Sequence, residues 1–265
     1  MFKILTVFFL LVLGGFTLQD STFTLVISIP ASSSFLTTDD LGNSYLINGS
    51  ILQKYDAGGT LLKNFSSKNL GTISFIDAND PLKILVFYES FQQIIFLDNM
   101  LVPYSDPISL NALGYNRASI ACSSHNNGFW IYDQQNSELI RFDQNLQKSQ
   151  QTGNIPQLYG SEINPNFITE QNGKVFLNDS AKGILVFDLY GTYNKTIFLK
   201  GLNRLQTNND ELIYFKDNKL KSYNLKTLEE HTLSLPAIDV LDARTEKEKL
   251  YLLKQRSIDI YSILK

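Results

Sequence analysis

The sequence predicts an all-β protein: a six-bladed β-propeller of four-stranded antiparallel blades, closed by an N-terminal strand that completes the last blade. Three observations carry this. Apolar strand centres recur at Tyr45, Leu85, Trp130, Val175, Ile213 and Tyr251, in steps of 40, 45, 45, 38 and 38 residues. No helical pattern separates them, and strands at that period without intervening helix mark propeller blades. The sixth copy ends one strand early, while a spare strand stands near the start of the chain.

Taken in order, residues 1–19 are expected to be a signal peptide, and 20–265 the propeller. Met1-Phe2-Lys3 is a short basic start, Ile4 to Leu13 is apolar except for Thr6, and Gly14-Gly15 opens a polar exit. That is the plan of an export signal. The run is too short for a membrane span, which needs about 20 apolar residues. The expectation is an exported protein, periplasmic, envelope-bound or secreted, with no transmembrane segment in its mature chain.

The spare strand is Thr22-Phe23-Thr24-Leu25-Val26-Ile27-Ser28-Ile29, stopped by Pro30. Each repeat then reads as strands A to D. The A–B turns carry Asn, Asp and Gly, as in Asp39-Asp40-Leu41-Gly42-Asn43, His125-Asn126-Asn127-Gly128 and Gln171-Asn172-Gly173, residues that accept the left-handed backbone of a tight hairpin. Strands B follow at Ser44–Ile47, Lys83–Tyr88, Phe129–Tyr132, Lys174–Leu177, Glu211–Phe215 and Lys249–Leu253. They are apolar on both sides, as expected of strands covered on both faces. Strands C end in an aromatic or apolar residue and Asp: Tyr55-Asp56, Leu97-Asp98, Phe142-Asp143, Phe187-Asp188. The aspartate is expected to bond its own backbone two residues on and start the C–D turn. Strands D are read at Thr60–Phe65, Leu101–Tyr104, Leu146–Gln151, Tyr193–Leu199 and His231–Leu235. The sixth copy has none, so Thr22–Ile29 is expected to pair with Ser257–Ser262. That pairing would close the ring and cover an open edge.

The turn–strand–turn unit with its aromatic-Asp and following glycine (Tyr55-Asp56-Ala57-Gly58-Gly59; Phe187-Asp188-Leu189-Tyr190-Gly191) resembles the NHL and TolB-like six-bladed propellers of exported bacterial type. The resemblance covers nearly all of the chain after residue 19. It implies the architecture, and for function it implies a range: non-enzymatic scaffolds, peptide-binding modules and a minority of metal-dependent hydrolases. Neither a WD signature nor a helical insertion is read.

Composition narrows the range. With 23 basic and 26 acidic residues the formal charge is −3, and no basic stripe suits nucleic acid. The single cysteine, Cys122, excludes an internal disulfide and is expected to be buried. Phosphate loops and nucleophile elbows are absent from the sequence. The two histidines, His125 in an A–B turn and His231 at the start of a D strand, are expected to lie apart.

Candidate ligand residues come from two long D–A connections, Tyr104–Arg117 and Thr152–Pro165. They are expected side by side at the rim of one channel mouth. The first carries Tyr104, Asp106, Asn111, Tyr115 and Arg117, and the second Tyr159, Glu162 and Asn164. Tyrosine and arginine favour binding hot spots. The expected function is therefore a non-catalytic scaffold, without cofactor, that binds a protein, peptide or glycan partner. The alternative is a Ca²⁺-dependent hydrolase or lactonase, as the resemblance to gluconolactonase-type propellers implies, with Asp77, Glu170 and Asp242 of the A strands as ligands. Those three lie 8, 5 and 9 residues before their strand-B centres, so they do not share one register.

Overall fold

The structure is a computed structural model that describes residues 22–33 and 35–264. The expected signal segment lies outside the described residues. Six four-stranded antiparallel sheets form six blades, as the repeat predicts. Strands A of blades one to six are Phe35–Thr38, Phe75–Asp77, Ala118–Ser123, Phe167–Gln171, Gln206–Asn208 and Val240–Glu246.

The ring closes where expected. Thr22–Pro30 runs antiparallel to Ser257–Leu264, from the pair Thr22–Leu264 to the pair Pro30–Ser257, with a bulge between Leu25 and Ile27. Ile29 is buried with Leu36, Leu46 and Tyr55 of blade one and with Tyr251, Ile258 and Ile260 of blade six. Across the same seam Tyr251 Oη donates to Gly42 O at 2.7 Å, and Lys249 Nζ donates to Ala57 O.

The C–D turns follow the predicted chemistry. Asp56 Oδ1 accepts from the amides of Gly58 and Thr60, and Asp98, Asp143 and Asp188 repeat the pattern at 2.8–2.9 Å. The core is divided into clusters between neighbouring blades, built mainly from strands B and C. Cys122 is buried in the cluster between blades three and four.

Two sequence expectations change. Strand D of blade two is Ile108–Ser109, not Leu101–Tyr104. The chain first touches strand C at Pro103 and Tyr104, bulges over Ser105–Pro107, and pairs again with Gln93 and Ile94. A short helix, Ile155–Tyr159, occupies the connection between blades three and four. Asn154 caps it by accepting from Gln157 N, and Pro156 stands in its first turn, where a missing N–H is harmless. No helix among the described residues is long and apolar enough to cross a membrane.

Candidate functional site at the channel

In this antiparallel scheme the A–B and C–D turns gather on one face, and the D–A and B–C connections on the other. Alternate residues of each A strand point into the channel. They stack in layers. The layer at the D–A end holds Phe35, Phe75 and Phe167, with rings 5.7 Å apart edge to face and the Arg204 guanidinium 4.2 Å over Phe35. Phe75 packs against the clusters of blades one–two, two–three and four–five at once, which places it at the axis. This mouth is plugged.

The middle layer is polar: Thr37, Asp77, Thr169, Gln206 and Arg244 line a narrow space under the phenylalanines. Asp77 accepts from Asn79 N at 3.0 Å and from Ser123 N at 2.9 Å. Burial pushes its carboxyl up, against those bonds and the charge of Arg244. Asn79 Nδ2 donates to Thr169 Oγ1 at 3.0 Å, and Gln206 clasps the backbone of Thr245 at 3.0 and 3.1 Å. The A–B end opens into a cavity of about 200 Å³ lined by Thr38, Asn79, Gln171, Asn208 and Lys247, among others.

Two further cavities lie on that face. One of about 460 Å³ shares Asn79 and Gln171 with the channel mouth, and runs over His125 and Glu170. Another of about 520 Å³, between blades two and three, shares Asp80, Lys83 and Asn127 with it. The three form one continuous cleft. Its outer end is apolar, with Phe96, Ile108, Phe129 and Leu146. Lys83 Nζ sits 4.2 Å over the Phe96 ring and donates to Asn127 O at 2.7 Å.

Glu170 anchors the cleft wall. Its carboxylate accepts from Ser124 Oγ at 2.5 Å, Trp130 Nε1 at 2.7 Å, and His125 N and Nδ1 at 2.9 Å. Burial alone would raise it, but these bonds hold the carboxyl below its ordinary value. Arg141 Nε donates to Ser124 Oγ at 2.7 Å. The Ser124 hydroxyl is thus committed on both sides and is not free to act as a nucleophile beside His125. The cluster is a clasp between blades three and four.

The predicted ligand residues divide between the two faces. Asn111, Tyr115, Arg117, Tyr159, Glu162 and Asn164 lie on the D–A connections. Those two loops do lie together: Arg117 O accepts from Gln134 N, and Asn154 and Ile155 bond to the same B–C turn at Asn136 and Ser137. Tyr115 and Tyr159 are half-buried, Tyr115 edge-on to Phe142 at 5.4 Å and Tyr159 against the core between blades three and four. Arg117, Asn111, Glu162 and Asn164 are exposed. Tyr104 and Asp106 belong instead to the A–B face, because strand D of blade two starts after them. Tyr104 Oη donates to Leu82 O in the A–B turn. The eight residues therefore do not ring one opening.

The carboxylates proposed for calcium also separate. Asp77 is in the middle layer, Glu170 points away from the channel into the clasp, and Asp242 stands near the plug, 3.8 Å from Arg204 Nη2. Among the described residues no three His, Cys, Asp or Glu side chains gather as a metal set. Arg204, Arg244 and the Lys83 cleft were not read from the sequence. The only signal was Asp242-Ala243-Arg244-Thr245-Glu246, an alternation that becomes channel lining once its strand is known to be innermost.

No protein-family description and no curated relative matches the chain. Solved structures do. A Streptogramin B lyase is 11% identical with a TM-score of 0.63, over 91% of this chain and 98% of that one. The Pan2 WD40 domain of Neurospora crassa is 9% identical with a TM-score of 0.62, over 92% and 96%. A chain of the Mitotic Checkpoint Complex is 9% identical with a TM-score of 0.66, over 100% and 98%. At these identities the likeness is one of fold, a β-propeller.

Proposed function

We propose that this protein is an exported, non-catalytic scaffold of NHL/TolB-like type that holds an extended segment of a protein partner along the cleft of its A–B face. The observation that carries the reading is the continuity of the three cavities, from an apolar pocket between blades two and three to the polar channel mouth, opposite a mouth plugged by three phenylalanines. An apolar pocket suits a side chain. The Asn- and Gln-rich stretch beyond it suits a peptide backbone, which needs donors and acceptors in alternation. The committed clasp at Glu170 supports binding over catalysis. Propeller neighbours seen in assemblies, the Mitotic Checkpoint Complex among them, make a protein partner a fitting choice. Export rests on the basic start and apolar run of residues 1–19.

The test is a displayed library of random peptides, with calorimetry on the peptides selected. Tyr104→Ala and Lys83→Ala should weaken binding by about 1–3 kcal/mol, the range of a hot spot. Arg117→Ala and Glu162→Ala, on the opposite face, should leave it unchanged. Selected peptides that ignore the first pair and lose binding with the second would move the site to the D–A face. A library that yields no binder would sink the peptide reading.

A further inference from the structure

Arg244 is a buried middle-layer cation that no ion pair engages among the described residues. It is 7% exposed, and its Nε has no hydrogen-bond partner. No carboxylate stands within ion-pair distance of its guanidinium among the described residues. Its neighbours are otherwise engaged. Asp77 is held by two backbone amides, Asp242 stands against Arg204, and Gln206 is closed on Thr245. Burial lowers the guanidinium only to about 10, so it stays charged at neutral pH. Asp242, Glu246 and Asp77 offset part of that charge through space, but a buried guanidinium with no directly paired counter-ion still costs free energy.

The residue lines both the narrow space under the plug and the 200 Å³ cavity at the mouth. Its open side therefore faces the inner end of the cleft. Thr38, Asn79, Thr207 and Asn208 surround it with hydroxyl and amide groups, and the cavity wall also carries Lys247 and the carboxylates of Asp40 and Glu246.

We propose that Arg244 is a carboxylate seat: an acidic side chain or the C-terminal carboxylate of the bound segment enters the channel and pairs with its guanidinium. The guanidinium fork matches a carboxylate in two parallel hydrogen bonds. Charge balance selects a carboxylate over a phosphate. Asp77, Asp242 and Glu246 also face Arg244, so a dianion would meet more repulsion than one guanidinium offsets. The identity of the carrier as a peptide rests on the functional reading above, while the seat itself rests on Arg244 alone.

The experiment measures thermal stability of the full chain in formate, acetate, acetamide and phosphate. It adds calorimetry with paired peptides ending in Glu or Gln amide. Formate and acetate should stabilise saturably up to about 100 mM, the range of a weak single-site ligand, and neutral acetamide should not. Arg244→Gln should abolish the acetate response without lowering the melting temperature in acetate-free buffer. Arg244→Lys should weaken it, because the charge stays and the fork is gone. Peptides ending in Glu should bind at least about tenfold tighter than their Gln amide partners, and acetate should compete with them. Should R244Q fail to fold, the acetate–acetamide comparison on the wild type and R244K decides the matter. Equal effects of acetate and acetamide, or a phosphate effect as large as acetate's, would overturn the seat. Peptides that bind without regard to the acid, with no acetate effect, would overturn the seat and leave the cleft reading standing. Acetate binding with no peptide binding would do the reverse.

Discussion

Replacing Ile29 with alanine tests the seam that closes the ring. Ile29 is 8% exposed and is buried in a cluster with three residues of blade one and, Leu253 included, four of blade six. The change removes three carbons, worth about 0.8 kcal/mol each on transfer, or roughly 2.4 kcal/mol. The cavity left between two rigid sheets raises that to about 3 kcal/mol. For a chain of this length each kcal/mol moves the melting temperature by about 2–4 °C, so the expected fall is about 6–12 °C. Val26 provides the control. It sits on the same strand, 46% exposed, at the bulge where the pairing with Ser257–Leu264 skips a residue. Val26→Ala should cost no more than about 0.5 kcal/mol. Differential scanning calorimetry of both variants is the assay. If Ile29→Ala melts no lower than Val26→Ala, the strand Thr22–Pro30 does not close blade six, and the strand count behind the closure is wrong.

Two further outcomes concern the seam and the Glu170 clasp. Gly59, in the C–D turn of blade one, has φ of +85°, and a Cβ there would meet Ile27 Cγ2 at 2.6 Å. Gly59→Ala should therefore cost roughly 2–4 kcal/mol, from left-handed strain plus displacement of the seam, read by chemical denaturation. Glu170 is held below a glutamate's ordinary 4.5 in the folded protein. Its contribution is then complete above about 4.5 and is lost as pH falls through the lower folded value. Glu170→Gln should cost about 1–3 kcal/mol at pH 7, and should flatten the loss of stability on acidification. An acid-unfolding profile as steep as the wild type's would contradict the clasp.

Much of this fold is legible in the sequence because propeller blades are local. In four blades the Asp of the C–D turn bonds amides two and four residues on, so its structural effect is contained in a five-residue stretch such as Asp56–Thr60. Strand D of blade two was missed for the opposite reason. Two residues, Ile108 and Ser109, pair after a bulge, and a two-residue strand leaves no periodicity to read. That error carried Tyr104 and Asp106 to the wrong face. The channel was illegible in another way. Asp242, Arg244 and Glu246 alternate like the solvated face of an edge strand, and only the closure of six blades turns that face inward. The clasp needed the same long-range knowledge, since Glu170 meets Ser124 and Trp130 from a neighbouring blade.

The division of labour in the ring explains why the channel can carry unusual chemistry. Stability resides between blades, where strands B and C bury nearly all of the large side chains. A-strand residues that face the axis add little to those clusters, except at the phenylalanine plug. The middle layer is therefore free to hold groups that a packed core would reject. Even so, a threonine or serine at position 244 would satisfy a polar channel without burying an uncompensated charge. Arginine there works against folding, because a buried guanidinium without a direct ion pair recovers only part of its lost hydration. Its neighbours relieve it only in part: Asp242, Glu246 and Asp77 act on it through space, but Asp242 pairs with Arg204 at 3.8 Å, Asp77 is bonded to the backbone, and none of the three pairs with its guanidinium. A buried guanidinium without a direct ion pair, facing the only open end of its channel among the described residues, is best accounted for by what enters there.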